Sequence, residues 1–375
     1  MDFYCNQKFK NLQVHLERQE INSCNSAKCQ KIDLKWFKDN NNDLFNSPYI
    51  VADREKMLDN IPVESCNVCW EAESNKRISK RIMKNGEQKN LVDLLCAPKE
   101  ISIILDTACN LTCSYCCKEY SSAWLRDIHN NGTYFENDVR HEIKPFDKLL
   151  IKAGHKIIQN NKDYKLLLDS VLNYKDVDFI DIIGGEPFLN ANLVNVVNTI
   201  TSKKIIYSGL GVNNQRFTNI IKQLNKDNLT ITVSCENIFD FYEFNRYGNT
   251  FNNFLKNLDT IKNYEIKFNF NSVLSNLTIF GFKDFINYFN NEEIFIDVCN
   301  EPSYLNPTLI DDKSKQIILN TDYGIYTKKV HDLVSPLYDK TQKHYANIFL
   351  SKFSERRKLN LEIFPKHFLE WLKND

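Results

Sequence analysis

The chain has 375 residues, of which 42% are hydrophobic and 12% aromatic, so it is long enough for one large domain or a few smaller ones with a substantial core. Its 48 basic and 48 acidic residues cancel and no basic tract stands out, which argues against nucleic acid or an anionic membrane as partner. The chain start has no apolar signal-like segment and no apolar run could span a bilayer, so we expect a cytoplasmic protein whose thiols stay reduced.

The first 90 residues are polar, show weak periodicity and contain five of the 12 cysteines. One stretch within them, DLFNSPYIVADREKMLDNI at 43–61, returns an apolar residue every three or four positions and predicts a helix. We expect residues 1–90 to form a small cysteine-rich domain that precedes the main fold.

From residue 91 onward, short apolar runs alternate with longer amphipathic segments such as LVNVVNTITSK and GFKDFINYF. The apolar runs are ISIIL at 101–105, VDFIDII at 177–183, KIIYSGL at 204–210, LTITVS at 229–234, IKFNFNSV at 266–273 and EIFIDV at 293–298. This alternation predicts an α/β fold of βα units with a parallel sheet, and six such strands would make a partial or full barrel over 91–310. A helical tail over 311–375, broken before Pro365, should follow.

The stretch DTACNLTCSYCCKEY follows the first of these strands and places Cys109, Cys113 and Cys116 in a C-x3-C-x2-C pattern. Three thiolates from one short loop can hold three corners of a cubic iron–sulfur cluster and leave the fourth iron open to another ligand. A zinc site with a distant fourth ligand is the alternative, whereas a disulfide is disfavoured in a reducing compartment.

The second strand ends in GGEP, which is Gly184, Gly185, Glu186 and Pro187. Two glycines at the carboxyl end of a strand let the backbone approach a ligand closely, and sites in parallel α/β folds gather at these ends. Taken alone, GGEP is compatible with a simple turn. It becomes specific when it follows a βα unit whose strand leads into the cysteine loop.

Together, the cysteine loop and GGEP resemble the motifs of the radical S-adenosylmethionine (SAM) superfamily. The resemblance implies a partial (β/α)6 TIM-like barrel over roughly 95–305, a [4Fe–4S] cluster on the three loop cysteines, and SAM bound to the open iron. It further implies that Tyr115 packs near the adenine and that the GGEP residues bind the methionine amino group. Cys117 matches no role in the family.

The stretch TVSCENIFDFYEFNRYG at 232–248 is similar to the fourth strand and following helix of the family. The resemblance implies that Ser234 meets the ribose and that Arg246 pairs with the SAM carboxylate, for which its planar fork is suited. Glu236 lies on the same strand face as Ser234 and joins the cofactor-binding set. The family often has an acidic residue followed by glycine where this chain has Glu236-Asn237, and a solvated helix charge is the alternative for Arg246.

Five cysteines before the barrel suggest a second metal site. Cys66 and Cys69 form a C-x2-C knuckle, and Cys5 with either Cys24 or Cys29 would complete four thiolates. Zinc and an iron–sulfur cluster both suit this donor set.

The stretch SCNVCWEAESNKRISKR also resembles the cysteine-rich region of radical SAM proteins that carry a twitch- or SPASM-type auxiliary domain, here N-terminal. SSAW at 121–124 and EPSYLNP at 301–307 resemble the same subset. The resemblance implies an auxiliary [4Fe–4S] cluster on Cys5, Cys24 and the C-x2-C pair, with Cys29 as substitute for Cys24 and structural zinc as the other metal.

The family resemblance implies an enzyme whose cluster receives an electron from an external reductant of the flavodoxin or ferredoxin type. The reduced cluster then passes this electron to SAM. The 5′-deoxyadenosyl radical then abstracts hydrogen from an unactivated C–H bond. Cys235 and Cys299 near the ends of strands four and six are candidate hydrogen-atom donors to a substrate radical, and a buried structural role is their alternative.

Two substrate classes stay open. One is a small metabolite, sugar, nucleotide or modified base that is isomerised, epimerised or oxidised; the other is a ribosomally made peptide. The first 90 residues leave no evident room for a leader-binding domain, which favours the non-peptide class. The non-enzymatic alternative is a zinc- or iron–sulfur-bearing binding or electron-transfer protein, against which the intact cysteine and GGEP motifs argue.

Overall fold

The computed structural model of the protein describes residues 2–74, 79–85, 93–136, 138–337 and 341–374. Within these ranges no helix is both long enough and apolar enough to cross a bilayer.

The strands are β1 Asn11–His15, β2 Glu20–Asn22, β3 Gln30–Lys31, β4 Glu100–Ile104, β5 Thr112–Cys113, β6 Phe179–Ile183, β7 Lys203–Ser208, β8 Leu229–Ser234, β9 Arg246–Tyr247, β10 Lys267–Leu274 and β11 Ile294–Val298. The helices are α1 Gln7–Lys10, α2 Leu34–Asp39, α3 Pro48–Leu58, α4 Asn67–Ser74, α5 Lys80–Asn85, α6 Ser122–Asn131, α7 Pro145–Ala153, α8 His155–Gln159, α9 Lys162–Asn173, α10 Leu193–Thr199, α11 Asn214–Ile221, α12 Phe239–Asn245, α13 Phe251–Asn263, α14 Phe282–Tyr288, α15 Asp312–Leu319, α16 Thr327–Val334, α17 Thr341–Arg357 and α18 Lys366–Lys373.

A first compact unit comprises Met1–Thr107, Lys152–Ile206 and Leu224–Thr230. Its sheet has the strand order β7-β6-β4-β1-β2-β3. The strands β1, β4, β6 and β7 run parallel, and β2 and β3 complete the sheet in antiparallel fashion. Ile101 and Ile103 of β4 are fully buried, as expected for a strand inside a parallel sheet covered by helices.

The sequence analysis missed the N-terminal strand β1, as well as the short strands β2 and β3 that follow it. All five of its residues are buried, and it pairs with β4 in the register Leu12↔Ile101. On its polar face, Asn11 donates to the Ser23 carbonyl at 2.6 Å. Because these buried polar side chains find partners inside the protein, β1 lacks the apolar signature that predicts a strand.

A second compact unit comprises Ala108–Ile151, Tyr207–Gln223 and Ile231–Asp375. In it, β10 pairs in parallel with β11 and lies beside β8, and the short strands β5 and β9 form an antiparallel ribbon. Its core is aromatic: Trp124 stacks on His141 with ring centroids 5.4 Å apart, and Tyr134 lies 5.0 Å from Phe349 of α17. The C-terminal helix α17 is therefore part of the core that supports the cysteine loop.

All six predicted strands are present, with ends shifted by no more than two residues, and the predicted helix at 43–61 is α3. With the parallel pairings, this confirms the α/β class. The (β/α)6 count stays a prediction. So does the division into 1–90, 91–310 and 311–375, whose boundary at 90/91 lies outside the described residues.

Candidate functional site

The loop after β4 brings three predicted ligands together. Cys109 and Cys113 are each 9% exposed and pack with Leu111 in one buried group, against which Tyr115 and Cys116 lie. All three thiols are free of disulfides. Burial raises the pKa of Cys116 well above its usual value, so without a cation this thiol stays protonated. A bound metal would invert that preference, because a coordinating thiol is deprotonated.

The SSAW stretch fixes the backbone of this loop. Ser121 caps α6 and donates to the Leu111 carbonyl at 2.7 Å. The Ser122 hydroxyl accepts from the Cys109 N–H at 3.1 Å and donates to the Cys109 carbonyl at 3.0 Å. Trp124 donates from its indole nitrogen to the Cys113 carbonyl at 3.0 Å. The motif therefore acts as a clamp on the cysteine loop.

Helix α17 reaches the same loop through a residue that the sequence analysis did not single out. Arg357 donates to the Thr112 hydroxyl at 2.9 Å and to the Tyr134 hydroxyl at 2.9 Å. Its guanidinium lies 4.8 Å from the ring centroid of Trp124, a favourable cation–π distance. No local sequence signal could identify this contact, since it joins positions 245 residues apart.

The strand ribbon β5–β9 places Arg246 directly opposite Cys113. Arg246 forms a two-pronged ion pair with Glu236, with Nε–Oε2 at 3.0 Å and Nη2–Oε1 at 2.6 Å. The Tyr115 hydroxyl donates to Glu236 Oε1 at 2.7 Å, and Arg246 Nη1 lies 3.8 Å from the Cys113 sulfur. The structure thus brings together three residues predicted to bind the cofactor and one predicted ligand. Ser234 lies half-buried at the end of β8.

This network bears on the predicted role of Arg246. Burial alone would lower the pKa of Arg246, but the Glu236 carboxylate outweighs it and keeps the guanidinium charged. Because two of its nitrogens bind Glu236, the fork that the resemblance assigned to the SAM carboxylate is already engaged. Pairing of Arg246 with SAM stays a prediction, and the alternative of a solvated helix charge does not fit a side chain that is 3% exposed.

In the first unit, the GGEP turn follows β6 in a conformation that requires glycine. Gly184 has φ +136°, and a Cβ atom there would lie 2.6 Å from the Asp106 carbonyl oxygen. Gly185 donates its N–H to the same oxygen at 3.0 Å. Glu186 is 1% exposed and accepts from the Phe188 N–H, so it caps the turn that begins at Pro187. Binding of the methionine amino group by these residues stays a prediction.

Three of the N-terminal cysteines also share one buried group. Cys5, Cys66 and Cys69 belong to one buried group, with Trp70 against them. The pKa of Cys5 is raised to about 12, mainly by burial and with smaller contributions from Cys24, Cys66 and Cys69, which outweigh the opposing backbone hydrogen bond from Gln7. Burial is also the main cause that raises the pKa of Cys66 and of Cys69, and Cys24 raises both by a smaller amount. The four thiols named as one site therefore lie within electrostatic reach of one another.

Cys29 has a different environment. Its sulfur accepts from the Asn22 amide at 3.3 Å and lies 3.5 Å from the Nε2 atom of His15. Burial raises the pKa of Cys29 to about 11, with Glu20 the next cause and Cys24 a smaller one. The choice of Cys24 as the fourth thiol, with Cys29 as its substitute, stays a prediction.

The two candidate hydrogen-atom donors are both buried. Cys235 is fully buried, its thiol donates to the Asn237 carbonyl at 3.2 Å, and burial raises its pKa. Cys299 donates to the Glu301 carbonyl at 3.5 Å, and burial raises its pKa to about 12. These contacts are those expected of structural thiols, and a donor role for either stays a prediction.

The donor chemistry fits iron–sulfur clusters. Each site offers soft thiols that are not in disulfides, which is what cluster ligation uses, and at the loop the backbone is held by Ser122 and Trp124. In the described part of the chain, no three His, Cys, Asp or Glu side chains are arranged to hold a metal ion. A single zinc ion would draw its sulfurs to within about 3.8 Å of one another, whereas a cubane distributes its ligands over several irons. The thiols are grouped but not converged on one point.

No family model and no curated protein sequence matches the chain. The chain is similar to solved radical SAM enzymes. It shares 16% identity with anSMEcpe with bound AdoMet over 60% of this chain and 59% of that chain, with a TM-score of 0.38. With Streptococcus suis SuiB bound to S-adenosylmethionine it shares 12% identity over 93% of this chain and 68% of that chain, with a TM-score of 0.33. With the structure of TYW1 with a lysine-pyruvate adduct bound it shares 14% identity over 47% of this chain and 56% of that chain, with a TM-score of 0.26.

The chain spans about three fifths of the length of the anSMEcpe structures that it matches.

Proposed function

We propose that the chain is a radical SAM enzyme built on a partial (β/α)6 barrel, and that Cys109, Cys113 and Cys116 hold its [4Fe–4S] cluster. The observation that carries the proposal is the grouping of three cysteines, none of them in a disulfide, on one clamped loop beside Tyr115. A glycine turn that no side chain could replace, at Gly184, follows the next strand of the same sheet, β6. This pair of features suits cluster ligation at one strand end and close backbone approach to a ligand at the next.

When bound, the cluster and SAM supply a one-electron cleavage that yields methionine and a 5′-deoxyadenosyl radical able to remove hydrogen from a C–H bond. The chain's own part is positioning. Ser122 and Trp124 fix the backbone at two ligand positions. The Arg246 guanidinium, held by Glu236, donates to the Cys113 sulfur at 3.8 Å and so fixes the position of this predicted ligand.

The N-terminal thiols Cys5, Cys24, Cys66 and Cys69 are proposed to hold an auxiliary [4Fe–4S] cluster. Four thiolates close a cluster, so its role would be to accept or relay an electron rather than bind substrate. Lys8 would stabilise the negative charge of such a site. Its buried ammonium group forms an ion pair with Asp53 at 2.5 Å and also interacts electrostatically with the Cys66 thiol. Structural zinc is the competing occupant.

The substrate proposed is a small metabolite, sugar, nucleotide or modified base, with an external flavodoxin- or ferredoxin-type protein as reductant. Maturation of a ribosomally made peptide is the alternative activity. A non-catalytic zinc or iron–sulfur protein is the alternative without SAM chemistry.

The test is anaerobic iron and zinc content together with 5′-deoxyadenosine formation from SAM under reduction. We expect about eight irons in the wild type and about four in a Cys109/Cys113/Cys116→Ala variant that forms no 5′-deoxyadenosine. Cys96→Ala is the matched control, because Cys96 is a cysteine outside both predicted ligand sets and its thiol donates to the Phe9 carbonyl at 3.3 Å. Four irons plus one zinc would make the N-terminal site structural, and SAM cleavage by the triple variant would refute the proposal.

A further inference from the structure

A cleft of about 300 Å³ in the second unit is not used by the functions proposed so far. Its wall includes Arg140 and the start of the EPSYLNP stretch at Glu301. A cavity of this size accommodates a small metabolite.

Arg140 joins this cleft to the cysteine loop. Its Nη2 atom donates to the Tyr115 carbonyl at 2.9 Å. Burial alone would lower the pKa of Arg140, but the thiols of Cys117, Cys299 and Cys116 and the Tyr304 hydroxyl raise it, so all of these groups lie near the guanidinium. A ligand held by Arg140 would therefore lie beside the Cys116 end of the loop.

This guanidinium has spare binding capacity. Among the described residues, no carboxylate lies within 4.0 Å of Arg140, and its only hydrogen bond is the one to Tyr115. A partly buried guanidinium without an anionic partner favours a carboxylate, because both oxygens can bind its planar fork.

The same cleft also carries negative charge. Glu136 and Glu301 are exposed on its wall, and in the described ranges neither side chain forms an ion pair. The third acid, Asp138, is already bound to His141 at 2.7 Å. The cleft thus offers one positive group, Arg140, and two negative groups, Glu136 and Glu301. Within the part of the chain that the structure describes, Arg140 forms no ion pair with either carboxylate.

Aromatic rings form the rest of the wall. Phe135 lies edge-on to Tyr304 at 5.5 Å and 4.9 Å from Tyr345, measured between ring centroids. Such a surface suits an apolar or aromatic group between the two charged ends of a ligand.

We propose that this cleft binds a zwitterionic small molecule of the amino-acid type, with its carboxylate on Arg140, its ammonium group on Glu301 or Glu136, and its side chain against the aromatic wall. This assigns a substrate class to the proposed radical enzyme and rests on that function for its chemical purpose. The binding itself needs no radical chemistry.

The experiment uses three matched probes on the reconstituted full chain with SAM present: L-phenylalanine, 3-phenylpropionate, which lacks the ammonium group, and 2-phenylethylamine, which lacks the carboxylate. Calorimetry should show L-phenylalanine binding more tightly than the other two. Arg140→Gln should weaken L-phenylalanine and 3-phenylpropionate about tenfold and leave 2-phenylethylamine unchanged. The double variant Glu136→Gln/Glu301→Gln should weaken L-phenylalanine and 2-phenylethylamine instead.

Arg140→Lys, which keeps the charge, should retain part of the carboxylate affinity, and Lys328→Gln, on an exposed helix, is the control without effect. Iron content and SAM affinity are measured on each variant. Equal affinities for the three probes, or no binding of L-phenylalanine at about 10 mM, would overturn the proposal. So would a loss confined to SAM affinity in Arg140→Gln, which would assign Arg140 to SAM. SAM cleavage that survives these results would leave the proposed enzyme function standing.

Discussion

Arg246 and Glu236 form a buried ion pair, 3% and 1% exposed, whose guanidinium also lies 3.8 Å from the sulfur of Cys113. The pair connects the end of β8 to the strand ribbon that carries a predicted cluster ligand. Its geometry explains how a charged side chain is tolerated at this depth: both carboxylate oxygens are bonded to the guanidinium.

Glu236→Gln should destabilise the protein strongly, because it leaves the Arg246 charge buried without compensation. We expect a loss of about 3–5 kcal/mol in the free energy of unfolding, measured by anaerobic urea titration. The control is Glu292→Gln, which breaks the more exposed Lys262–Glu292 pair and should cost at most about 1 kcal/mol. Equal losses in the two variants would contradict a buried pair.

Ser122→Ala should weaken the hold of the loop on the proposed cluster. The substitution removes a hydroxyl that bonds both the N–H and the carbonyl of Cys109, at a cost of about 0.5–1.5 kcal/mol per hydrogen bond lost. We expect the variant to lose iron to a chelator faster than the wild type does, as measured by absorbance. Ser74→Ala removes an exposed hydroxyl on α4 and should lose iron at the wild-type rate.

Cys24→Ala and Cys29→Ala should differ in their effect on the N-terminal site. Cys24 influences all three buried thiols of the site, whereas Cys29 is bound to Asn22 and His15. We expect Cys24→Ala to lose most of the metal that survives the loop triple substitution, and Cys29→Ala to keep it. The reverse pattern in metal analysis would reassign the fourth ligand to Cys29.

Asp181 should make the stability of the protein depend on pH. Burial in β6 raises its pKa to about 7, with Glu100 also raising it, while Lys84 and Lys203 act in the opposite direction. Since the folded pKa exceeds the unfolded value of about 3.9, the folded state binds more protons, and the stability due to Asp181 is lost as pH rises toward and through 7.

Asp181→Asn should therefore be more stable than the wild type at about pH 8, by about 1–2 kcal/mol after allowance for partial exposure, and this advantage should shrink toward about pH 5. Denaturant titrations at the two pH values check it. An advantage that does not change with pH would show that Asp181 is ionised at both.

The sequence by itself determined the features that are local. Six apolar runs predicted six strands, since a strand covered on both faces of a parallel sheet must be apolar along its length. The spacing of Cys109, Cys113 and Cys116 places three thiols on one loop whatever the surrounding packing. The glycines of GGEP predicted a place where the backbone needs the freedom of glycine. Gly184 has a φ of +136°, a backbone conformation that other residues rarely adopt.

Only the tertiary structure decided the long-range contacts. The pattern of apolar residues could not reveal β1, because the strand carries polar side chains that are buried and find partners inside the protein, as Asn11 does. The contacts of the Cys29 sulfur with Asn22 and His15 are likewise not encoded by cysteine spacing. Arg357 reaches Thr112 across 245 residues, and the ion pair of Arg246 with Glu236 depends on the fold that brings the two side chains together. Sequence patterns report which residue types an element needs, whereas the partners of a charged side chain are set by the packing that encloses it.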